Sequence, residues 1–170
     1  MKRLFFSIFI CLFFLGFKAN AQSSPVPDNY ELKTKEDYAK YEADVIKTVD
    51  WLQQTLWTED PDKRKTANSF LMAWITGSPT VSISINSDIL MKYCKKNGGL
   101  LFTYMGGYTK FALQHKNDFS KTQADVFAVK SMIDKYNAEP SHIKDPNMEK
   151  LTKIDKDGKL ENWVKSDFEK

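Results

Sequence analysis

The chain has 170 residues, with 25 Lys and Arg against 22 Asp and Glu, a formal charge of +3, and 42% hydrophobic residues. That length suits one domain able to bury roughly 70% of the surface its unfolded chain exposes, so folding requires neither a metal nor a disulfide, and most two-domain enzymes are excluded. The basic excess resides in Lys2, Arg3 and Lys18; without them 22 basic residues face 22 acidic ones, which removes the electrostatic argument for nucleic-acid binding or attraction to anionic lipid.

Those three cations belong to a leader pattern. Lys2 and Arg3 precede a stretch from Leu4 to Phe17 relieved by Ser7 and Gly16, and Ala19-Asn20-Ala21 supplies small residues for cleavage. The apolar run is shorter than the ~20 residues that span hydrocarbon, so it reads as a cleavable signal peptide over 1–21 and not as a membrane anchor. Gln22 would begin the exported chain, and Cys11 lies inside the leader, so a lipid-modified cysteine is not expected. Removal of 21 residues leaves 149, with Cys94 alone and no intramolecular disulfide possible. The expected product is periplasmic or secreted in a bacterial setting, with no membrane anchor after cleavage.

Pro25 and Pro27, among small polar neighbours, predict an extended or mobile arm over 22–33, before a single helical domain over 34–170. Thr34 and Asp37 have capping-box spacing, and Tyr38, Tyr41, Val45, Val49, Leu52 and Leu56 recur at three and four as the stripe of a first helix. Asp60-Pro61 starts a second helix, with Ala67, Phe70, Leu71, Trp74 and Ile75 inward, and Gly77 with Pro79 stops it. Val81-Ser82-Ile83-Ser84-Ile85 alternates with period two. Without a second comparable strand it reads as an extended connection, or as an edge at Val81, Ile83 and Ile85 that receives a strand from a partner.

A third helix starts at Asn86-Ser87-Asp88 and ends at Asn97-Gly98-Gly99. Leu100 to His115 is the most apolar segment after the leader and is expected at the centre of the bundle. Gly106-Gly107 in its middle costs about 1 kcal/mol per glycine relative to alanine, which a close helix crossing would offset. Ser120 and Gln123 cap a fifth helix carrying Val126, Val129, Ile133 and Tyr136; Asp145-Pro146 starts a sixth, and Leu160, Trp163, Val164 and Phe168 supply a terminal one. The fold class is all-α: an irregular bundle of about five to seven helices, with one short extended segment near 81–85.

Chemical signatures are sparse. Asp155-Lys156-Asp157-Gly158 has part of a calcium-loop pattern, but Lys153 and Val164 stand where the first and twelfth ligands belong, so a helix-ending turn at Gly158 is expected. His115 and His142 belong to no zinc signature, Cys94 lies in no nucleophile elbow, and no phosphate or dinucleotide loop follows a strand. No catalytic residue, metal ligand or cofactor is assigned. Trp51, Trp57 and Trp74 with Tyr104 and Tyr108 exceed what aliphatic packing needs; Trp74, Tyr104 and Tyr108 are candidates for an aromatic-lined cleft.

The tract Leu101-Phe102-Thr103-Tyr104-Met105-Gly106-Gly107-Tyr108, followed by a second helix and a tryptophan-bearing tail, resembles small helical periplasmic immunity proteins that neutralise toxins. The lone Cys94 departs from the paired cysteines of that family, and no functional residue is transferred from it. The function expected from the sequence is a secreted, non-catalytic binding or inhibitor-like protein whose partner is an envelope or extracellular macromolecule. The alternative is a small-ligand carrier or hydrolase with an aromatic cleft. Oligomeric state is left open.

Overall fold

The structure is a computed structural model and describes residues 25–83 and 87–169. The expected leader, the first residues of the expected arm and Ile85 lie outside the described residues. In chain order the helices are α1 (Lys35–Lys40), α2 (Glu42–Gln54), α3 (Pro61–Gly77), α4 (Ser87–Cys94), α5 (Gly99–Gln114), α6 (Lys121–Ala138), α7 (Pro146–Lys156) and α8 (Leu160–Trp163), followed by a π-helical turn, Val164–Phe168. The architecture is an all-α irregular bundle, and no strand occurs among the described residues. Residues 81–83 have neither helical nor strand pairing, while 84–86 lie outside the described residues.

Local chemistry accounts for most boundaries. Thr34 Oγ1 accepts from the Asp37 amide at 3.2 Å and the Asp37 carboxylate accepts from the Thr34 amide at 2.9 Å, closing the expected capping box. The expected first helix divides at Tyr41, whose backbone leaves helical geometry (φ −96°, ψ 4°). The break turns the Tyr41 ring edge-on to Phe70, 6.4 Å away, and buries it. Asp60 differs from the expected cap: its backbone is left-handed (φ 43°) and its side chain makes no cap bond, so Pro61 alone supplies the start signal. At the other end of the chain Gly158 takes φ 69° after α7, where Asp157, Gly158 and Lys159 amides return to Lys153, Asp155 and Ile154 carbonyls. This is the helix-ending turn read from the sequence.

Two apolar clusters meet along α5. One joins Val45, Val49 and Leu52 of α2 to Phe70, Leu71 and Trp74 of α3, with Val81, Ala112 and Leu113. The other joins Leu90 and Tyr93 of α4 to Leu100, Tyr104 and Tyr108 of α5, Val129, Met132, Ile133 and Tyr136 of α6, and Met148, Leu151, Val164 and Phe168 beyond. Each fully buried side chain of this size contributes about 1.5–3 kcal/mol by leaving water. The arm also joins the first cluster: Val26 is buried and the Thr48 hydroxyl donates to the Pro25 carbonyl at 3.0 Å, so the chain from Pro25 onward is docked against α2.

Helix α5 is central because its glycines permit it. A Cβ on Gly106 would press on Val49 at 3.2 Å, and one on Gly107 would stand 3.1 Å from the Ala128 backbone and 2.9 Å from Ser131 Oγ. The helices α5 and α6 therefore cross at a separation that only a bare backbone allows, which is the packing role expected of the pair.

A polar bolt fixes the connection between α2 and α3. Lys135 and Glu139 of α6, both buried, pair at 2.6 Å. Lys135 Nζ also donates to the Thr55 carbonyl at 2.6 Å, and the Trp57 amide donates to Glu139 at 2.9 Å. Arg64 Nη2 donates to the carbonyls of Thr55 and, at 2.7 Å, Leu56.

Candidate functional site: a cleft beside Tyr108

Residues 80–82, after α3, lie against the C-terminal half of α5 and leave a cleft of about 500 Å³. One wall is Tyr108 and Ala112, one helical turn apart on α5; the other is Thr80, Val81 and Ser82. Val81 is held inward because its amide and that of Thr80 donate to Ser78 Oγ at 3.1 and 3.3 Å. Phe119, in the turn between α5 and α6, is 46% exposed and meets the Tyr108 ring edge-on at 6.1 Å. Lys116 completes the lining and pairs with Glu42. The cleft is apolar inside, with hydroxyls and one ammonium at its lining.

Behind Tyr108 lies a polar cluster. Tyr104 donates to Asp125 Oδ1 at 2.5 Å, Lys121 donates to Asp125 Oδ2 at 2.6 Å, and Glu169 accepts from Lys121 at 3.2 Å and from Thr122 at 3.0 Å. Burial raises the Asp125 carboxyl above its ordinary range, while the bonds from Lys121 and Tyr104 oppose the shift. Burial also raises Tyr104 and Tyr108, and the Asp125 charge adds to both. At neutral pH the two phenols are therefore protonated, and Tyr108 lines the cleft while its phenol feels the charges of Asp125, Lys121 and Glu169 behind it.

The sequence candidates separate. Trp74 is fully buried in the α2–α3 cluster, its indole Nε1 donating to the Tyr38 carbonyl at 3.0 Å. Tyr104 is fully buried in the other cluster against Phe168, 5.6 Å between ring centres. Neither lines the cleft, because the two face opposite sides of the central packing. Tyr108 and Val81 do line it, so one residue from each candidate set meets at the same place. Ile83 packs, partly buried, between both clusters. Ala112, Lys116 and Phe119 were not singled out by the sequence pattern; a large aromatic between Asp118 and Ser120 in a polar turn was the available signal for Phe119.

The remaining reactive side chains are placed elsewhere. Cys94 is buried among Leu90, Leu100 and their neighbours, and burial pushes its thiol up to about 12, the behaviour of a small hydrophobe. His115 caps the far end of α5, stacked on Phe111 at 4.1 Å with Asp118 3.2 Å from Nδ1. His142 packs on Tyr136 at 4.2 Å, its Nδ1 2.6 Å from the Glu139 carbonyl. Among the described residues no three His, Cys, Asp or Glu side chains gather in a metal-holding group, and no helix is long and apolar enough to cross a membrane. No family model, curated protein or solved structure matches the chain, so the resemblance to immunity proteins gains no support from them.

Proposed function

We propose that the protein is an exported, non-catalytic binding protein whose Tyr108 cleft receives a small apolar ligand. The observation that carries this reading is the cleft's construction: about 500 Å³ walled by Val81, Ala112, Tyr108 and a Phe119 ring left 46% exposed at its edge. Ligand sites are concave, mostly apolar and supplied with few polar groups, and about 300–1,000 Å³ is their usual size. Burial raises the Tyr108 phenol, which is therefore protonated at neutral pH and a poor general base. Export rests on the leader pattern. The edge reading of 81–85 is less favoured, since Val81 is 6% exposed and turned into the core, away from an incoming strand.

Indole serves as a test probe, titrated into 15N-labelled protein. Saturable shifts centred on Val81, Tyr108, Ala112 and Phe119 are expected, and Phe119→Ala, an exposed substitution with little effect on folding, weakens binding at least about fivefold, or 1 kcal/mol, by removing one aromatic contact. Shifts scattered away from the cleft, or an affinity unchanged by Phe119→Ala, sink the proposal; stoichiometric capture of an envelope or extracellular protein with the cleft left unperturbed would restore the macromolecular-partner reading.

A further inference from the structure

The two most exposed large apolar side chains among the described residues, Ile143 at 60% and Met91 at 50%, belong to the surface where α4 meets the loop before α7. Side chains fasten that loop to the end of α4. Asn97, buried, donates from Nδ2 to the Ile143 carbonyl at 2.8 Å and accepts from the Ile143 amide at 2.7 Å. Lys96 Nζ donates to the Lys144 carbonyl at 3.3 Å, and Asn147 Nδ2 to the Lys92 carbonyl at 3.5 Å. A single exposed aliphatic side chain needs no explanation. Ile143 differs because one buried amide binds both its backbone polar groups, so its exposed side chain is carried on a fixed backbone.

Lysines fill the same surface. Lys92, Lys95 and Lys96 are exposed along α4 and the turn that ends it, while Leu90, Tyr93 and Cys94 turn inward, and exposed Lys144 adjoins Ile143. None of the four forms an ion pair with a carboxylate among the described residues. Asp145 is buried as the α7 cap and Glu149 accepts from Tyr136, so Asp88, in the first turn of α4, leaves the lysines in excess. Cations near a helix C-terminus answer its macrodipole, which accounts for Lys92 and Lys95 but not for Lys144 or for an outward Ile143. The neutrality of residues 22–170 as a whole does not govern this face, since salt confines each charge's field to about 8–10 Å.

We propose that this face seats the protein on an anionic phospholipid surface, with Lys92, Lys95, Lys96 and Lys144 against the headgroup phosphates and Ile143 and Met91 entering the boundary with the acyl chains. The composition favours lipid over an acidic protein. Protein interfaces are depleted of lysine and anchored by aromatic and arginine side chains, none of which is among these six residues. Lysines on flexible aliphatic stems keep their charge at the headgroups while neighbouring apolar side chains go deeper. The contact is peripheral and requires no spanning helix.

Co-sedimentation with vesicles tests this, using residues 22–170, which carry the whole described domain without the leader's own cations and apolar run. Saturable binding to equimolar phosphatidylcholine and phosphatidylglycerol is expected, with little binding to phosphatidylcholine alone. Lys95→Gln and Lys144→Gln should each weaken it about fivefold, the ratio for about 1 kcal/mol per lysine at an anionic surface. Lys35→Gln, the same change of charge on α1 beside the other cluster, should leave it unaltered. Ile143→Ser, which changes no charge, should weaken it about tenfold by removing the inserted side chain. Each variant changes an exposed residue, and circular dichroism confirms its fold. Equal binding to both vesicles, equal losses at Lys35 and Lys95, or an unchanged affinity in Ile143→Ser each overturns the proposal. Binding to poly-glutamate as tight as to the anionic vesicles would replace the lipid with an acidic polypeptide.

Discussion

The two ends of α6 each bury a carboxylate, and they are built oppositely. Near its start Asp125 is fully buried, but its cation, Lys121, is 44% exposed and shared with Glu169. Near its end Glu139 is fully buried and so is its cation, Lys135, which spends its remaining donors on the Gln53 and Thr55 carbonyls. The first arrangement keeps one charge in water, so salt and pH reach it. The second is sealed: desolvation lowers the Lys135 pKa, the bond to Glu139 opposes that, and neither charge has solvent to turn to if the other is removed. A buried pair of this kind adds little net stability yet makes the loss of either member costly. Its position explains its presence, since it fixes the 55–57 backbone against which Arg64 is held.

The largest expected effect comes from that contrast. Lys135→Met should cost about 3–5 kcal/mol in urea unfolding, because Glu139 loses its cation and stays buried, whereas Lys121→Met should cost clearly less, because Lys121 is partly in water and the buried Asp125 keeps the Tyr104 hydroxyl as a donor. Comparable losses at the two positions would break the comparison. Replacing both partners, Lys135→Met with Glu139→Leu, should recover part of the loss but not all, since the Trp57 amide then lacks its acceptor.

Between the two ends, Gly107→Ala places a methyl against the Ala128 backbone and should cost about 1–3 kcal/mol by forcing α5 from α6. An unchanged unfolding midpoint would show that the crossing has slack and that the ends are not rigidly joined.

The smallest effect concerns pH at the solvated end. The folded Asp125 carboxyl holds its proton more tightly than the unfolded chain does, so its contribution to stability is fully present below the ordinary carboxylate range and is lost as pH rises through the raised folded value. Asp125→Asn should remove that slope while changing stability at neutral pH by about 1 kcal/mol or less, with Asn still able to accept from Tyr104. Glu169 has the opposite sign: burial raises it, but bonds from Thr122 and Lys121 outweigh this and hold it low. Glu169 is coupled to Asp125 directly and through Lys121, so the difference between the two pH profiles reports the pair and not Asp125 alone. A profile unaltered by the substitution would place Asp125 outside the titrating set.

How much of this was readable along the chain differs by element. The capping box at Thr34, the Pro61 and Pro146 starts, the Gly158 stop and the central place of α5 arise from signals within a few residues of each other, where local hydrogen bonding and side-chain period dominate. The break at Tyr41 was not readable, because the helical stripe continues through it, and the Tyr41 ring's contact with Phe70 lies 29 positions later in the chain. The aromatic candidates divide for the same reason. Trp74, Tyr104 and Tyr108 are equally aromatic in sequence, but only the crossing of 80–82 over α5 decides that Tyr108 borders an opening while the other two fill the core.

By itself, then, the sequence determined the all-α class, most helix starts and stops, the leader pattern and the charge neutrality of residues 22–170, since each depends on neighbours in the chain or on composition alone. Tertiary structure decided which polar groups are sealed as pairs, which lysines gather beside Ile143, and where the Tyr108 cleft opens. Those outcomes depend on residues such as Thr55 and Lys135, or Val81 and Tyr108, that are distant in sequence and brought together only by packing.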